Sequence, residues 1–356
     1  SIINTADNSC SVYDQTNSPI QLSLAGNGWS LASDVCYDTK GNLWVLNGWS
    51  DRPLVVKRAD NTWSAFDCGV EARNKYTTRM VSDKDQNLWF ATETNGLFGY
   101  TYSETIDNIG DDFHINLTSG EYSGALPSDN VTALAVDLDG ELWIGTDAGF
   151  AVLYNTTGSF TANPGDYNAQ RIKVRFEGNV EYVLGSTHIT DIEVDGGNRK
   201  WMATAGAGLV LLSSDGSEII KQFTKENSAL ISNNIYDIKM NQETGELFII
   251  TDLGLVSYRS DASQDDADYS STKVFPNPVR PGYEGLITIQ GIRYDSDVKV
   301  TDIAGNLIFK TTSNGGTATW DGKRVDGSRV ESGVYLIWTA TNEGTSRKVG
   351  KVVVVN

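Results

Sequence analysis

Asn130-Val-Thr-Ala-Leu-Ala-Val-Asp-Leu-Asp-Gly-Glu-Leu-Trp-Ile-Gly-Thr146 decides the fold. Val131, Leu134 and Val136 form an apolar run that stops at Asp137-Leu-Asp-Gly140, and Leu142-Trp-Ile-Gly145 starts a second run at once. Two short runs joined by an Asp/Gly turn read as a β-hairpin, because glycine accepts the positive φ that such turns need. A third strand, Phe150-Ala-Val-Leu-Tyr154, follows the turn at Asp147-Ala-Gly149.

The unit recurs. It appears at Asp34–Val45, Thr78–Thr92, Ile189–Thr204 and Ile235–Thr251, with a third strand such as Gly96–Tyr100, Gly208–Leu212 or Gly254–Tyr258 after most copies. The aromatic after the turn falls at Trp44, Trp89, Trp143, Trp201 and Phe248, so neighbours lie 45, 54, 58 and 47 residues apart. Four-stranded propeller blades repeat at roughly 40 to 50 residues. One small twisted sheet cannot bury both of its faces, and blades stacked about an axis bury face against face. The expectation is an all-β chain whose propeller domain, residues 1–260, holds five four-stranded blades in residues 31–260, the large aromatic of each filling the gap between neighbours. Before the first hairpin, Cys10-Ser-Val-Tyr13 and Ala25-Gly-Asn-Gly-Trp-Ser30 read as an outer strand of an earlier blade. That reading, and a start at Ser1 without a leader, predict either a removed signal peptide or a piece of a larger propeller.

Residues 261–272 are acidic and lack periodicity, which predicts an exposed, mobile linker. From Lys273 the pattern becomes alternating strands: Leu286–Gln290, Asp297–Thr301, Asn306–Lys310, Gly316–Trp320, Gly333–Trp338 and Lys348–Val355. Leu286/Thr288, Val298/Val300 and Tyr335/Ile337 are spaced as residues of one strand face. About seven strands in residues 273–356 predict a small immunoglobulin-like β-sandwich.

Net charge −18 disfavours a nucleic-acid partner, which needs Lys/Arg clusters for its phosphates. No apolar run approaches the roughly 18 to 20 residues that span a bilayer as a helix. Cys10, Cys36 and Cys68 lack metal spacing, and their pairing is not fixed by sequence. Asp83/Asp85 and Asp137/Asp139 invite a calcium reading, but a strand resumes too soon for a loop offering six to eight oxygens. Turn-forming Asp is the favoured reading. His114 and His188 stand apart from other metal ligands, and no nucleophile–base arrangement or acid pair can be picked out. Trp29, Trp49 and Trp63 lie outside the repeat position; packing under loops is favoured over stacking on sugars. No cofactor or metal site and no catalytic residue is expected, and the ligand-binding residues are left open.

Two resemblances are specific. Ala125-Leu-Pro-Ser-Asp-Asn-Val131, running into its hairpin, resembles the propeller repeat of two-component regulators, and Asn227–Ile235 is similar. Gln86 in place of the turn glycine, and Asn198-Arg-Lys200 before Trp201, depart from it. Residues 273–356 resemble the C-terminal sorting domain of the type IX secretion system of Bacteroidetes. The resemblance rests on Phe275-Pro276-Asn277-Pro278, Val300-Thr-Asp302-Ile-Ala-Gly305, Trp320-Asp-Gly322, Ser332-Gly333-Val-Tyr335 and a last strand with Lys348 and Lys351. It implies that Pro276, Asn277, Pro278, Asp302, Gly305, Gly333, Tyr335, Lys348 and Lys351 form the motif read for secretion. The apolar Val352–Val355 with Asn356 is a mild departure.

Propeller and sorting sandwich together resemble the propeller component of the type IX surface attachment complex. What that implies is a non-enzymatic, exported protein of the cell surface, reached through the periplasm. Its implied partners are the surface sortase, outer-membrane anchor proteins and anionic lipopolysaccharide or another glycan. The rivals are an oligosaccharide-sensing propeller and a secreted cargo with a glycan-binding propeller.

Overall fold

A computed structural model describes residues 2–3, 9–26, 28–102, 105–176, 179–265, 269, 272–340 and 346–356. The chain divides into two compact units, Ser1–Ile192 with Met202–Ala207, and Glu193–Trp201 with Gly208–Asn356.

Five antiparallel sheets, the propeller blades, each follow sequence order. The first contains Leu31–Tyr37, Leu43–Gly48, Leu54–Lys57 and Trp63–Phe66; the second Thr77–Ser82, Leu88–Thr92, Leu97–Thr101 and Phe113–Leu117. The third has three strands, Val131–Val136, Leu142–Thr146 and Gly149–Leu153, with Val152 bridged to Gln170 where a fourth would lie. The fourth contains Ile189–Val194, Lys200–Thr204, Leu209–Leu212 and Ile219–Phe223; the fifth again has three, Ile235–Asn241, Glu246–Thr251 and Gly254–Arg259. Four strands per blade was therefore too many for the third and fifth.

All five repeat aromatics lie on the second strand of their sheets. Trp44, with Leu46 and Leu54, packs against Met80, Leu88 and Phe90 of the second sheet. Trp89, with Leu97 and Leu117, packs against Leu134, Leu142 and Ile144 of the third. The four tryptophans are fully buried. Phe248 departs from the expected gap-filling role: it is 39% exposed, and Ile250 and Leu255 beside it are exposed too.

One turn device builds these hairpins. Asp38 Oδ1 accepts the amides of Lys40 and Asn42, while Oδ2 accepts the Asn42 side chain and the Trp44 indole at 3.1 Å. Asp83 does the same for Asp85, Asn87 and Trp89, and Asp137 for Asp139, Glu141 and Trp143. The first acid of each pair thus spends its oxygens on its own turn and on the core indole, the work of a turn-forming Asp. Burial alone would raise the Asp38 carboxyl; bonds from Asn42, Trp44 and Lys40 together hold it below the usual range.

At the start, Cys10–Ser11 pairs with Ile2–Ile3 in a two-stranded sheet separate from the five blades described above. Ile20, with Ile2 and Tyr13, instead covers Leu43, Val45 and Val55 of the first sheet. The three cysteines are free. Burial, with Asp34 and Asp38 nearby, pushes the Cys36 thiol up to about 12.

From Lys273 two sheets face each other. Lys273–Phe275, Ile287–Gln290 and Thr317–Trp320 form one; Leu307–Thr312, Asp297–Thr301, Gly333–Ala340 and Ser346–Val354 form the other. Between them lie Ile287, Ile289, Val298, Val300, Trp320, Tyr335, Ile337 and Val352. Val298/Val300 and Tyr335/Ile337 point inward as expected. Leu286/Thr288 do not: the strand takes Ile287 and Ile289 inward and leaves Leu286 exposed.

The expected mobile linker is overturned at its start. Ser260, Ala262 and Ser263 are buried, because their backbone is tied to neighbouring turns. Ser260 N donates to Gly245 O, Gln264 N to Gln242 O, and Ser263 O accepts from Gly316 N. Residues 266–268 and 270–271 lie outside the described residues.

Candidate functional site

The sorting motif is spread over the sandwich, and most of its residues build structure. Asn277 clips the first segment to the last strand: its Nδ2 donates to Lys351 O at 3.0 Å, and its Oδ1 accepts from Val353 N at 3.0 Å. Pro276 and Pro278, both after cis peptide bonds, flank it. Val279 then bridges Val354. Asp302 repeats the turn device of the blades, accepting the amides of Ala304 and Asn306 and the Asn306 side chain. These bonds hold its carboxyl below the usual range. Gly305 closes the turn at φ 88°, where a Cβ would be strained. Ile303 at its tip is 78% exposed.

Tyr335 is a core residue. Its ring lies 5.5 Å from that of Trp320, its hydroxyl donates to Glu331 O at 2.8 Å, and burial raises its pKa. Gly333 has ordinary room, since a Cβ would meet nothing nearer than the Tyr335 ring at 3.8 Å. The Lys351 side chain is exposed, and that of Lys348 lies outside the described residues. The motif residues therefore do not converge on one site; they pin the sandwich and shape its exposed turns.

Convergence occurs in the second unit, in a cleft of about 290 Å³. Its floor is the outward face of the sandwich's three-stranded sheet. There Phe275, Thr288 and Thr319 stand in one row across the strands, and Gln290 and Thr317 in the next. The opposite wall is Tyr258, Lys221, Arg259 and Asp261. Lys221 Nζ lies 3.2 Å from the Tyr258 hydroxyl and 3.7 Å from Asp261. Behind it, Arg199 binds both Asp195 and Asp261. Burial would raise Asp261, but Arg199 holds it low and ionised. Two rings, hydroxyls and two cations suit a polyhydroxylated ligand with an acidic group. Sequence reasoning missed this cleft because its residues come from strands up to about a hundred positions apart.

A second unforeseen centre is Arg79, at a bulge of the second sheet's first strand with φ 49°. Its guanidinium donates to Thr132 O at 3.1 Å and Thr190 O at 3.2 Å and lies 3.5 Å from Asp191. It ties three blades together. The histidines serve packing and backbone roles: His114 stacks on Phe98, and His188 O accepts from Ala205 N. Trp63 packs on Tyr13, and Trp49 on Tyr76. Among the described residues, no group of three or more His, Cys, Asp or Glu is placed to hold a metal ion.

Comparison with known proteins bears on both parts. Residues 273–355 match the secretion system C-terminal sorting domain, and residues 125–148 the two component regulator propeller. No curated protein matches the chain. Among solved structures it is similar to PorZ, an essential bacterial surface component of the type-IX secretion system of Porphyromonas gingivalis. Identity is 31% over 97% of this chain and 47% of that one, with a TM-score of 0.66. The chain thus spans about half the length of that relative. It is also similar to the extracellular domain of a hybrid two component system of B. thetaiotaomicron, at 14% identity over 94% of this chain and 45% of that one, TM-score 0.43.

Proposed function

Because the chain is a PorZ-like protein of the type IX secretion system, exported and associated with the cell surface, we propose that it is a non-enzymatic member of the surface attachment complex. In this reading it engages the surface sortase and its outer-membrane anchor proteins, and it takes anionic lipopolysaccharide. One observation carries the reading. The likeness to PorZ runs through propeller and sandwich alike, over 97% of the chain. A cargo protein that had merely acquired the sorting sandwich would share only residues 273–355 with it. The sorting domain supplies the export address; the propeller and the cleft supply surface for partners.

Lys221 and Arg259 are the groups through which the cleft favours an acidic ligand. The test is binding of the full chain to purified anionic lipopolysaccharide and to its neutral counterpart, with cross-linking to purified sortase alongside. Preference for the anionic form, weakened in Lys221→Ala/Arg259→Ala, supports the reading. Absence of both lipopolysaccharide binding and sortase cross-links overturns it.

The rings of Tyr258 and Phe275, with the hydroxyls of Thr288 and Thr319, favour a second reading as a neutral-glycan receptor. Binding to neutral oligosaccharide that is untouched by the Lys221→Ala/Arg259→Ala change would select it.

A further inference from the structure

The sorting sandwich is reached through a chain segment that read as a tether, yet the backbone around Ser263 is packed more closely than side chains allow. A Cβ placed on Gly196 would lie 1.8 Å from Ser263 O, and one on Gly315 2.1 Å from the same oxygen and 2.5 Å from the Gly196 carbonyl carbon. On Gly316 it would lie 2.0 Å from Gln264 O. All are backbone atoms, which cannot swing aside as a flexible side chain can. Glycine at these positions is what lets the fourth-sheet turn, the Ser263–Gln264 segment and the sandwich turn meet.

Directed bonds cross the same junction. Gly316 N donates to Ser263 O at 2.7 Å, Ser263 Oγ and Thr317 Oγ1 share a hydrogen bond of 2.7 Å, and Gln290 Nε2 donates to Glu243 O at 2.8 Å. Ser263 and Thr317 are buried, so these groups would be left without partners if the junction opened into a dry gap. On the blade side, Gly245 admits the linker as well: a Cβ there would lie 2.3 Å from Ala262 O. All these residues belong to the second compact unit.

We infer that the sandwich is held on the fourth and fifth sheets by this glycine clasp and stays bound when the linker is cut. The contacts of Gln290, Gly315, Gly316 and Thr317 join residues after position 286 to residues before position 265, and those of Gly196 with Ser263 and of Gly245 with Ala262 lie wholly before it, so a break between removes none. The partner that this surface of the blades fits is the sandwich's own Gly315-Gly316 turn and the strand ending at Gln290. A consequence is that the three-stranded sheet faces the blades. The four-stranded sheet and the Asp302–Gly305 turn are what the sandwich offers to other proteins.

The experiment places a protease site within residues 266–271 of the full chain, cuts it, and follows the two fragments by size-exclusion chromatography. Co-elution of the fragments under native conditions is expected. Gly196→Ala and Gly316→Ala serve as the disrupting pair, because neither glycine needs a positive φ and each change touches the junction rather than a core. The cut double variant should release the sandwich, while circular dichroism and tryptophan fluorescence of the uncut double variant stay as in the parent. Release of the sandwich from the cut parent would overturn the inference. So would co-elution that persists in the double variant, because the clasp would then not be what holds it.

Discussion

Arg199 occupies the Asp195 carboxylate, its Nε 2.9 Å from Oδ2, at the place where three other blades hold a tryptophan indole. Among the described residues, the buried Trp201 indole nitrogen consequently has no hydrogen-bond partner. The Arg199 guanidinium reaches on to Asp261, in the wall of the cleft. A turn device that in the first three blades holds the core indole is here turned toward the junction with the sandwich.

Arg199→Ala should therefore cost about 3 to 5 kcal/mol, the range for removing one partner from a buried ion pair. The residue four places after the turn acid is Asn42 in the first blade and Asn87 in the second. Arg199→Asn together with Asp261→Asn should thus recover most of the loss, by rebuilding the common turn and removing the orphaned charge. Urea unfolding of the three chains measures this. A double variant no better than Arg199→Ala would count against the account.

Acid should weaken the first blade through Asp38. Its folded pKa lies below the ordinary carboxylate value of about 3.9. A depressed pKa contributes stability that is present above the unfolded value and lost as pH falls through the folded one. Asp38→Asn should be less stable at neutral pH and show a shallower decline in stability below about pH 4. The readout is urea midpoints from pH 7 down to the acid limb. Parallel declines in parent and variant would show that Asp38 does not contribute.

Arg79 offers a test of its hub role. Removing its guanidinium leaves the Thr132 and Thr190 carbonyls short of a donor, at about 1 to 3 kcal/mol. Its left-handed backbone separates two substitutions. Arg79→Ala keeps a Cβ in a conformation that costs roughly 1 kcal/mol, whereas Arg79→Gly relieves it. Both variants should be destabilised, with alanine the worse. Equal losses would mean that the backbone at the bulge relaxes.

Much of this was legible in the sequence, because the blade is a local object. Asp, Gly and Trp at fixed offsets define the hairpin, and the hairpin defines the second strand; hence five aromatics could be placed on five equivalent strands. Phe248 shows the limit. Its strand is set by local pattern, but its burial depends on what covers the sheet, which no local pattern encodes. Residues 260–264 show another: small polar residues read as solvated chain, although Ser263 is buried because Gly196, Gly315 and Gly316 admit its backbone. The cleft escaped for the same reason. Thr288, Thr319, Tyr258 and Lys221 carry no shared spacing, and only the junction brings them together.

The sorting motif yields the last prediction, because its two most conspicuous residues should behave differently. From sequence, replacing either Gly333 or Tyr335 is expected to reduce export by damaging the sandwich. The structure separates them. Gly333 has no positive φ, and a Cβ there meets only the Tyr335 ring, at 3.8 Å. Gly333→Ala should therefore change stability by less than about 0.5 kcal/mol, as substitutions clear of special features do. Tyr335 is 5% exposed, packs on Trp320 and bonds the Glu331 carbonyl. Tyr335→Ala should lose about 3 to 5 kcal/mol through the cavity it leaves. Tyr335→Phe should lose only about 1 kcal/mol, the worth of one hydrogen bond. Measuring sandwich unfolding alongside the surface fraction of the protein in cells then distinguishes a fold requirement from recognition. If delivery follows stability, Gly333→Ala and Tyr335→Phe reach the surface and Tyr335→Ala does not. Loss of delivery in a fully stable Gly333→Ala protein would show that the secretion machinery reads Gly333 itself, and that the motif is more than scaffolding.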